Sequence, residues 1–511
     1  MPQASMKRRA DVVVVGSGPG GATVARELAR AGKDVILLER GRDHRGKFYY
    51  GTHLGALIYG DKSCLLFTEE GLNVVRPLMT GGATNMFTGS AARPPSWLKE
   101  KYSVDIGVHV EETIKELGLD QLPDSQFLPP MPMNCAEEFV KAGVERRFGR
   151  ERVITIGRTA ILTVDHNGRA ACHYCGPCHR GCVTRSYFSS LTATLPAAEA
   201  TGRMTLRPNS VVAEILYDAE NDRARGVRVI DAITLEDMEF EGRVVFVCAS
   251  ALDSTRILLN SKSDRFPTGL GNSSGELGRN LMDHTMGGGA IGRVPGLDDR
   301  NAYGQRPNGL YVPRFRNVWD QHPDFLRGYG FQGGAGRPGW TRGIGMSGFG
   351  ADLKAALREP GPWQMRLSGF GECLPRHSNY VEIDPDVKDK WGVPVLRIHC
   401  EWSDNERTML QDMSVTAAEM LEAAGVTDVR TFVIDNPPGL TIHEMGTARM
   451  GRDPNTSVLN AHNQCHDVPN VFVTDGASMA STACQNPSLT YMALTARACA
   501  YAVEQLQRRE L

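Results

Sequence analysis

Four cysteines within eleven residues form the most reactive grouping in this sequence: Cys172-His-Tyr-Cys175-Gly-Pro-Cys178-His-Arg-Gly-Cys182, spaced C-x2-C-x2-C-x3-C. Thiolates this close together need an electropositive partner. The spacing is the one with which bacterial iron–sulfur ligands are arranged, except that Val183 stands where a trailing proline is usual. A 4Fe–4S cluster on Cys172, Cys175, Cys178 and Cys182 is therefore one reading. Structural zinc, bound by four Cys or a Cys/His mixture, is a second, and a set of free buried thiols is a third. The remaining cysteines (64, 135, 248, 373, 400, 465, 484 and 499) are isolated, which argues for free thiols rather than a disulfide scaffold.

A second grouping could hold phosphates. Gly16-Ser17-Gly18-Pro19-Gly20-Gly21 fits G-x-G-x-x-G and follows Asp11-Val-Val-Val-Val15, a β-branched run that reads as a buried parallel strand. A helix over 22–30 and a second strand over 35–38 complete a βαβ unit. The first glycine permits a tight turn, the second a close approach of backbone to pyrophosphate, and the third close helix–strand packing. The helix N-terminus then offers N–H groups to the phosphates. Glu39 lies 18 residues past Gly21, closing the second strand where a carboxylate can accept from ribose hydroxyls, and Arg40 follows it. These features point to a dinucleotide without separating FAD from NAD.

The third grouping is C-terminal: Ile442-His443-Glu-Met-Gly-Thr-Ala-Arg-Met-Gly451, then Val471-Phe-Val-Thr-Asp475-Gly476-Ala-Ser478, then Cys484-Gln-Asn486-Pro487-Ser-Leu-Thr490. Asn486 followed by Pro487 reads as an N-cap and first helical residue. In this order the segments closely resemble the glucose–methanol–choline (GMC) oxidoreductase family, which carries H-x-x-G-T-x-R-M-G, a D-G-S or D-G-A turn, and N-P-x-x-T. Gly81-Gly82-Ala83-Thr84-Asn85 resembles that family's flavin-facing loop. Leu277 to His284 resembles its L-x-D-H segment, and Cys248-Ala249-Ser250 its strand-end turn. Among relatives, the text from Arg169 to Ser190 is most similar to flavoprotein subunits of bacterial gluconate- and glucoside-type dehydrogenases.

The resemblance implies an α/β two-domain GMC fold: a Rossmann-like FAD domain and a substrate domain on an antiparallel sheet. It implies FAD touching Gly16, Gly18, Gly20, Gly21, Glu39, Arg40, Gly81, Gly82, Thr84, Asn85, Val212, Asp475, Gly476, Pro487 and Thr490. His443 would take the base position, accepting an alcohol proton while hydride passes to flavin N5. Asn486 would bond the reacting oxygen, whereas His284 is mostly structural in the family. Some relatives tether the flavin through a His after the Gly-Gly loop; here Asn85, Met86 and Phe87 stand there, so FAD is expected to be non-covalent. In multi-subunit relatives a related Cys segment holds a three-iron cluster that passes electrons to a cytochrome, beside a small accessory subunit. The expected substrate is a sugar or glycoside whose secondary hydroxyl becomes a ketone, the third carbon of a glycoside being one such position. Asn301, Tyr303, Gln305, Arg306, Asn308 and Tyr311 are candidate contacts. An O2-reducing oxidase without a cluster, and a non-catalytic flavin-binding subunit with structural zinc, remain open alternatives.

Helical patterning recurs over 104–117, 135–148, 186–201, 252–260, 405–424 and 488–508, and 204–248 reads as β-rich. The FAD domain is expected from 1–100, 203–285 and 440–511, a Cys-rich insertion or flavin lid from 101–202, and the substrate domain from 286–439. A net charge of −2 gives no basic field for nucleic acid. No 18-residue apolar run suggests a membrane span. Lys7-Arg8-Arg9 reads as a solvated flank rather than a signal, so the default compartment is the cytoplasm, with periplasmic export on a signal-bearing partner as the alternative.

Overall fold

A computed structural model describes residues 8–43, 64–69, 72–77, 130–157, 159–176, 178, 182–434, 438–439, 441 and 443–511. The chain builds two main sheets, each with its own core. The first begins with β1 (Arg9–Val15), α1 (Pro19–Arg30) and β2 (Val35–Leu38). A hairpin, β3 (Cys64–Glu69) and β4 (Leu72–Pro77), is followed by α2 (Cys135–Phe148), β5 (Thr155–Ile156) and α3 (Thr194–Glu199). Strands β6 (Met204–Arg207), β7 (Ser210–Asp218), β8 (Arg223–Asp231) and β9 (Asp237–Val247), then helix α4 (Ala251–Asn260), return to the first sheet.

The second sheet uses β10 (Thr285–Arg293), β11 (Leu310–Val312), β12 (Tyr329–Gly336) and β13 (Gln364–Gly371), with α5 (Gly350–Arg358) between the last two. A separate ribbon, β14 (Tyr380–Lys388) and β15 (Pro394–His399), precedes α6 (Asp404–Ala423) and β16 (Thr427–Val433). Finally β17 (Val471–Val473) and α7 (Ser488–Arg508) complete the first sheet. Its order is β6-β2-β1-β9-β8-β7, with β17 also on β9; the second runs β16-β10-β13-β12-β11-β5.

The stretch 12–15 of β1 is apolar at every position because both faces are covered. Val12 and Val14 pack in one core with Ala22, Leu28 and residues of α7, whereas Val13 and Val15 pack in the other with Leu252, Met445 and Leu489. The same alternation divides Val35 and Leu37 from Ile36 and Leu38. Strand β9 is long enough to serve two partners on one edge: 237–241 pairs with β8 antiparallel, and 245–247 with β17 in parallel.

The second sheet lies on α6. Its glycines permit this contact: a Cβ at Gly288 would lie 2.4 Å from the Leu410 carbonyl, and one at Gly369 2.4 Å from Met413 Sδ. The glycine richness there thus serves helix–sheet contact as well as turns. Within the stretch 101–202, α2 and β5 belong to this second core, while α3 packs on α1. The expected helix over 186–201 begins only at Thr194. Ser189 and Thr192 instead bond each other's backbone and side chains, the local competition by which hydroxyl residues displace helix. The expected helix over 104–117 lies outside the described residues. Among the described residues no helix is long and apolar enough to cross a membrane.

Helix α2 begins with a reciprocal capping box between Asn134 and Glu137 and crosses α6 at Gly143, where a Cβ would fall 2.4 Å from Ala424 Cα. Ala favours helix over Gly by about 1 kcal/mol. Gly143→Ala is nevertheless expected to destabilise the protein by about 2 kcal/mol, because backbone cannot yield as a side chain can. Chemical denaturation of the variant checks this.

Candidate active site

The phosphate loop is built from the turn between β1 and α1. Gly16 has φ +93°, and a Cβ there would lie 2.5 Å from the Cys248 carbonyl; one at Gly21 would lie 1.8 Å from the Gly16 carbonyl. Gly20 approaches the Thr474 carbonyl, whereas a Cβ at Gly18 would meet nothing within 4 Å among the described residues. Gly18 caps α1 without any side-chain bond, and no acid sits in the first turn, so the positive end of this helix is left for an anion. Glu39 is buried, with its carboxylate accepting from Ser17 N (3.1 Å), Ser17 Oγ (2.6 Å) and Gly41 N (2.7 Å). Burial raises its pKa, and those donors oppose the shift. Arg40 pairs with Asp253 at 3.3 Å. Val212 lies two residues beyond Ser210, whose N–H donates to the Glu39 carbonyl, and so stands near the same end of the loop. These residues fit a dinucleotide: an uncapped helix end, an open glycine face and a buried acid. Gly81, Gly82, Thr84 and Asn85 lie outside the described residues.

The C-terminal groups meet because two loops run side by side. Gly446 N donates to the Gly476 carbonyl, Ala448 N to that of Ala477 and Met450 N to that of Ser478. A Cβ at Gly476 would lie 2.3 Å from the Glu444 carbonyl, so this turn needs glycine. Asp475 caps the short turn at Ala477 N (2.9 Å) and accepts the Ser254 hydroxyl, while Ser254 Oγ takes Ala249 N at 2.9 Å. Thr490 is buried in the first turn of α7.

One carboxylate holds the loop that carries His443. Asp283 is 2 % exposed and accepts from Gly439 N (2.9 Å), Thr441 N (3.2 Å), His443 N (3.1 Å) and the Thr441 hydroxyl. Met282 and Met445 add a two-bond antiparallel bridge, each 2.9 Å. His443 is thereby placed against the neighbouring His284, with Nδ1 to Nδ1 at 3.0 Å and the rings nearly perpendicular. Burial depresses His443 to a pKa of about 4, with Glu444 pulling the other way. It therefore stays neutral, able to take a proton, over the ordinary pH range.

Asn486 differs from expectation. Helix α7 starts at Ser488 with Pro487 as its cap residue, which offers no side-chain acceptor. The Asn486 amide oxygen instead accepts from Gln332 Nε2 on β12, at 2.6 Å. Gln332 lines a cavity of about 360 Å³ with Thr159, Asn308, Ser368 and Phe370, a volume within the range of small-molecule sites. Of the six candidate substrate contacts only Asn308 lines it. Arg306 is tied to Glu137 at 2.5 Å, Asn301 is bonded by Arg337, Gln305 clips the cysteine loop at Tyr174, Tyr311 is half-buried in β11, and Tyr303 is 91 % exposed. Nothing in the sequence marked Gln332. Asp283 stood beside His284 in a motif, but without a role.

Cys172, Cys175, Cys178 and Cys182 line one pocket with Ile161, Tyr187 and Pro307. None of the four is joined in a disulfide. Burial and the neighbouring sulfurs push Cys178 up to about 11, and burial raises Cys172; at Cys182 burial is outweighed by hydrogen bonds with Ser186 and Thr184 at 3.3 Å, which lower it. The donor set suits a soft metal or cluster, but its placement does not. The space between the thiols is about 10 Å³, enough for one water. Among the described residues no three His, Cys, Asp or Glu side chains are grouped to hold an ion. Pro307 also lines the larger cavity, so the thiol pocket and that cavity share a wall.

The chain matches an FAD binding domain over residues 9–49 and GMC oxidoreductase domains over 109–286 and 375–495. It is 30% identical to 2-methyl-1,2-propanediol dehydrogenase of Mycolicibacterium austroafricanum, covering 96% of this chain and 94% of that protein. It is 25% identical to the gluconate 2-dehydrogenase flavoprotein of Pantoea cypripedii (96% and 92%) and 24% to the fructose dehydrogenase large subunit of Gluconobacter japonicus (96% and 97%).

Removing the Asp283 carboxylate strands buried N–H donors at Gly439, Thr441 and His443. Each stranded group costs about 1–3 kcal/mol. Asp283→Ala is expected to lose at least about 3 kcal/mol of unfolding free energy, and Asp283→Asn, which keeps one acceptor oxygen, clearly less. Urea titrations of the two variants make the comparison.

Proposed function

Because the chain belongs to the GMC oxidoreductase family and is an FAD-dependent oxidoreductase, we propose that it oxidises the CH–OH group of a sugar or glycoside to a ketone with His443 as the base. One observation carries this reading: a neutral, partly accessible imidazole, fixed by the Asp283 clamp, on the same loop pair as Asp475 and Gly476. The alcohol proton would pass to His443, and the carbinol C–H bond would leave as hydride to form the C=O double bond. FAD supplies the two-electron, hydride-accepting chemistry when bound; Gly16, Gly18, Gly20, Gly21, Glu39, Arg40, Val212, Asp475, Gly476, Pro487 and Thr490 are the described residues that would hold it. Asn486, oriented by Gln332, would donate its amide N–H to the alcohol oxygen.

A sugar is favoured by the mixed lining of the cavity, where Asn308, Ser368 and Gln332 face Phe370 and Leu310, and by the relatives named for gluconate and fructose. A partner chain as electron acceptor is supported by the relative named as a large subunit. For the four cysteines, an iron–sulfur cluster is favoured by their spacing and by their shared pocket beside the cavity. It is opposed by the tight space between the thiols, so no step is routed through it.

With an anaerobic panel of sugars, glycosides and diols, His443→Ala is expected to slow flavin bleaching by about 10²–10⁴-fold; bleaching at the native rate sinks the base assignment. For the native enzyme, kcat/KM should fall on the acid side only well below pH 6.5, toward about 4, since the depressed histidine remains unprotonated until then. A profile whose acid limb sits at or above 6.5 contradicts that.

Acceptor and metal are read separately. Dye reduction without stoichiometric peroxide is expected, and iron with acid-labile sulfide should co-purify if the cysteines bind a cluster. Stoichiometric peroxide identifies an oxidase. Zinc with no bleaching by any alcohol identifies a non-catalytic subunit.

A further inference from the structure

Both rings of the His284–His443 pair are neutral, each held down by burial, so each carries one proton. The two Nδ1 atoms are 3.0 Å apart, and a hydrogen bond between them needs one proton, on one ring only. Two tautomer pairs satisfy this. In the first, His443 Nδ1–H donates to a bare His284 Nδ1, leaving His443 Nε2 with a lone pair and His284 Nε2 with a hydrogen. In the second, every proton is reversed, and His443 presents an N–H where a base is needed.

The surroundings of His284 choose between them. The ring is 1 % exposed, and its Nε2 has no partner among the described residues at hydrogen-bond geometry. Backbone carbonyls of Ala483, Thr482 and Gln485 favour the protonated form of this ring. Ala483 is held at φ +53°, a conformation rare for a residue with a Cβ, so the loop that presents those carbonyls is strained into place. Such surroundings favour a proton on the ring, and with Nδ1 at the His443 contact the nitrogen left to carry it is Nε2.

We infer that His284 is a positioning residue that fixes the tautomer of His443: His284 carries its proton on Nε2, its Nδ1 accepts from His443 Nδ1–H, and His443 Nε2 is left bare toward the substrate. When His443 takes the alcohol proton it keeps its Nδ1–H on His284, so the pair spreads the new charge without passing a proton on. The arrangement has the logic of a carboxylate that orients a catalytic imidazole, with a second neutral imidazole in the carboxylate's place. This deepens the reading of His443 as base and rests on it.

Long-range proton–nitrogen correlation spectra of the holoenzyme labelled with ¹⁵N-histidine test the tautomers directly. Signals are assigned by their loss in His443→Ala and His284→Gln. The expected result is a protonated Nδ1 and bare Nε2 on His443, with the opposite pattern on His284. A protonated Nε2 on His443 overturns the inference even if His443→Ala is inactive, whereas an active His443→Ala refutes the base reading whatever the tautomers are. In kinetics, His284→Phe fills the space without an acceptor and is expected to lower kcat about 10²–10⁴-fold, with FAD content and KM close to native. His284→Gln, which offers an amide oxygen to His443 and an N–H to the carbonyls, should recover at least about tenfold of that loss. Equal rates for the two variants, or native kcat in His284→Phe, overturn the assignment. If His284→Phe does not fold, the spectra of the native enzyme decide.

Discussion

The buried Asp283 carboxylate is the constraint on which the site depends. It draws three backbone N–H groups and a hydroxyl from residues 439–443 onto one side chain. A buried charge is tolerated only where donors replace its lost water, and here the donors all belong to the segment that must be held. The same arrangement therefore both stabilises the carboxylate and fixes the loop. Because His284 follows Asp283 directly, the clamp also brings the second imidazole to the first. Two adjacent residues thus control the position and the protonation of His443 by separate contacts.

The opposite wall of the site comes from the other core. Gln332 on β12 reaches Asn486 at the start of α7, which joins the second sheet to the helix that covers the first. A hydrogen bond of this kind sets which way an amide points. Gln332 holds Asn486 by its amide oxygen, so the amide nitrogen is the donor end of that side chain. Pro307 separates the cavity beside Gln332 from the thiol pocket, and Gln305 ties the cysteine loop to the same stretch through Tyr174. Any change of shape at the cysteines is thus one residue away from the cavity wall.

Much of the fold was legible because its signals are local. The β1 valines announce a strand buried on both faces, and the glycine loop announces its turn. Helices 135–148 and 488–508 were read at their observed bounds, since capping and periodicity are written in consecutive residues. Ser186 to Ser190 misled, because apolar spacing there is overridden by hydroxyl–backbone bonds that periodicity does not register. In the site, His443 and Asn486 stood in motifs, as did Asp283 and His284, but Gln332 did not. Gln332 is a glutamine on a glycine-rich strand, and only the packing of one sheet against the other's helix gives it a role. The polar run from Asn301 to Tyr311 looked like a sugar site by composition, yet the side chains of Asn301, Arg306 and Asn308 are bonded to the protein itself.

The edge of β9 has a consequence for how the protein is made. Its 245–247 stretch waits for β17, which lies more than 220 residues later in the chain. At ribosomal rates of about 5–20 residues per second, that interval lasts roughly 11–45 s. Throughout it, an apolar strand edge stands unpaired, with α7 not yet present to cover the face of Val12 and Val14. The Asp475 turn is missing as well, so a nucleotide arriving early would find the glycine loop but only half of its cradle. A complete nucleotide cradle thereby waits for β17 and α7, and until they emerge the chain carries an unpaired apolar edge.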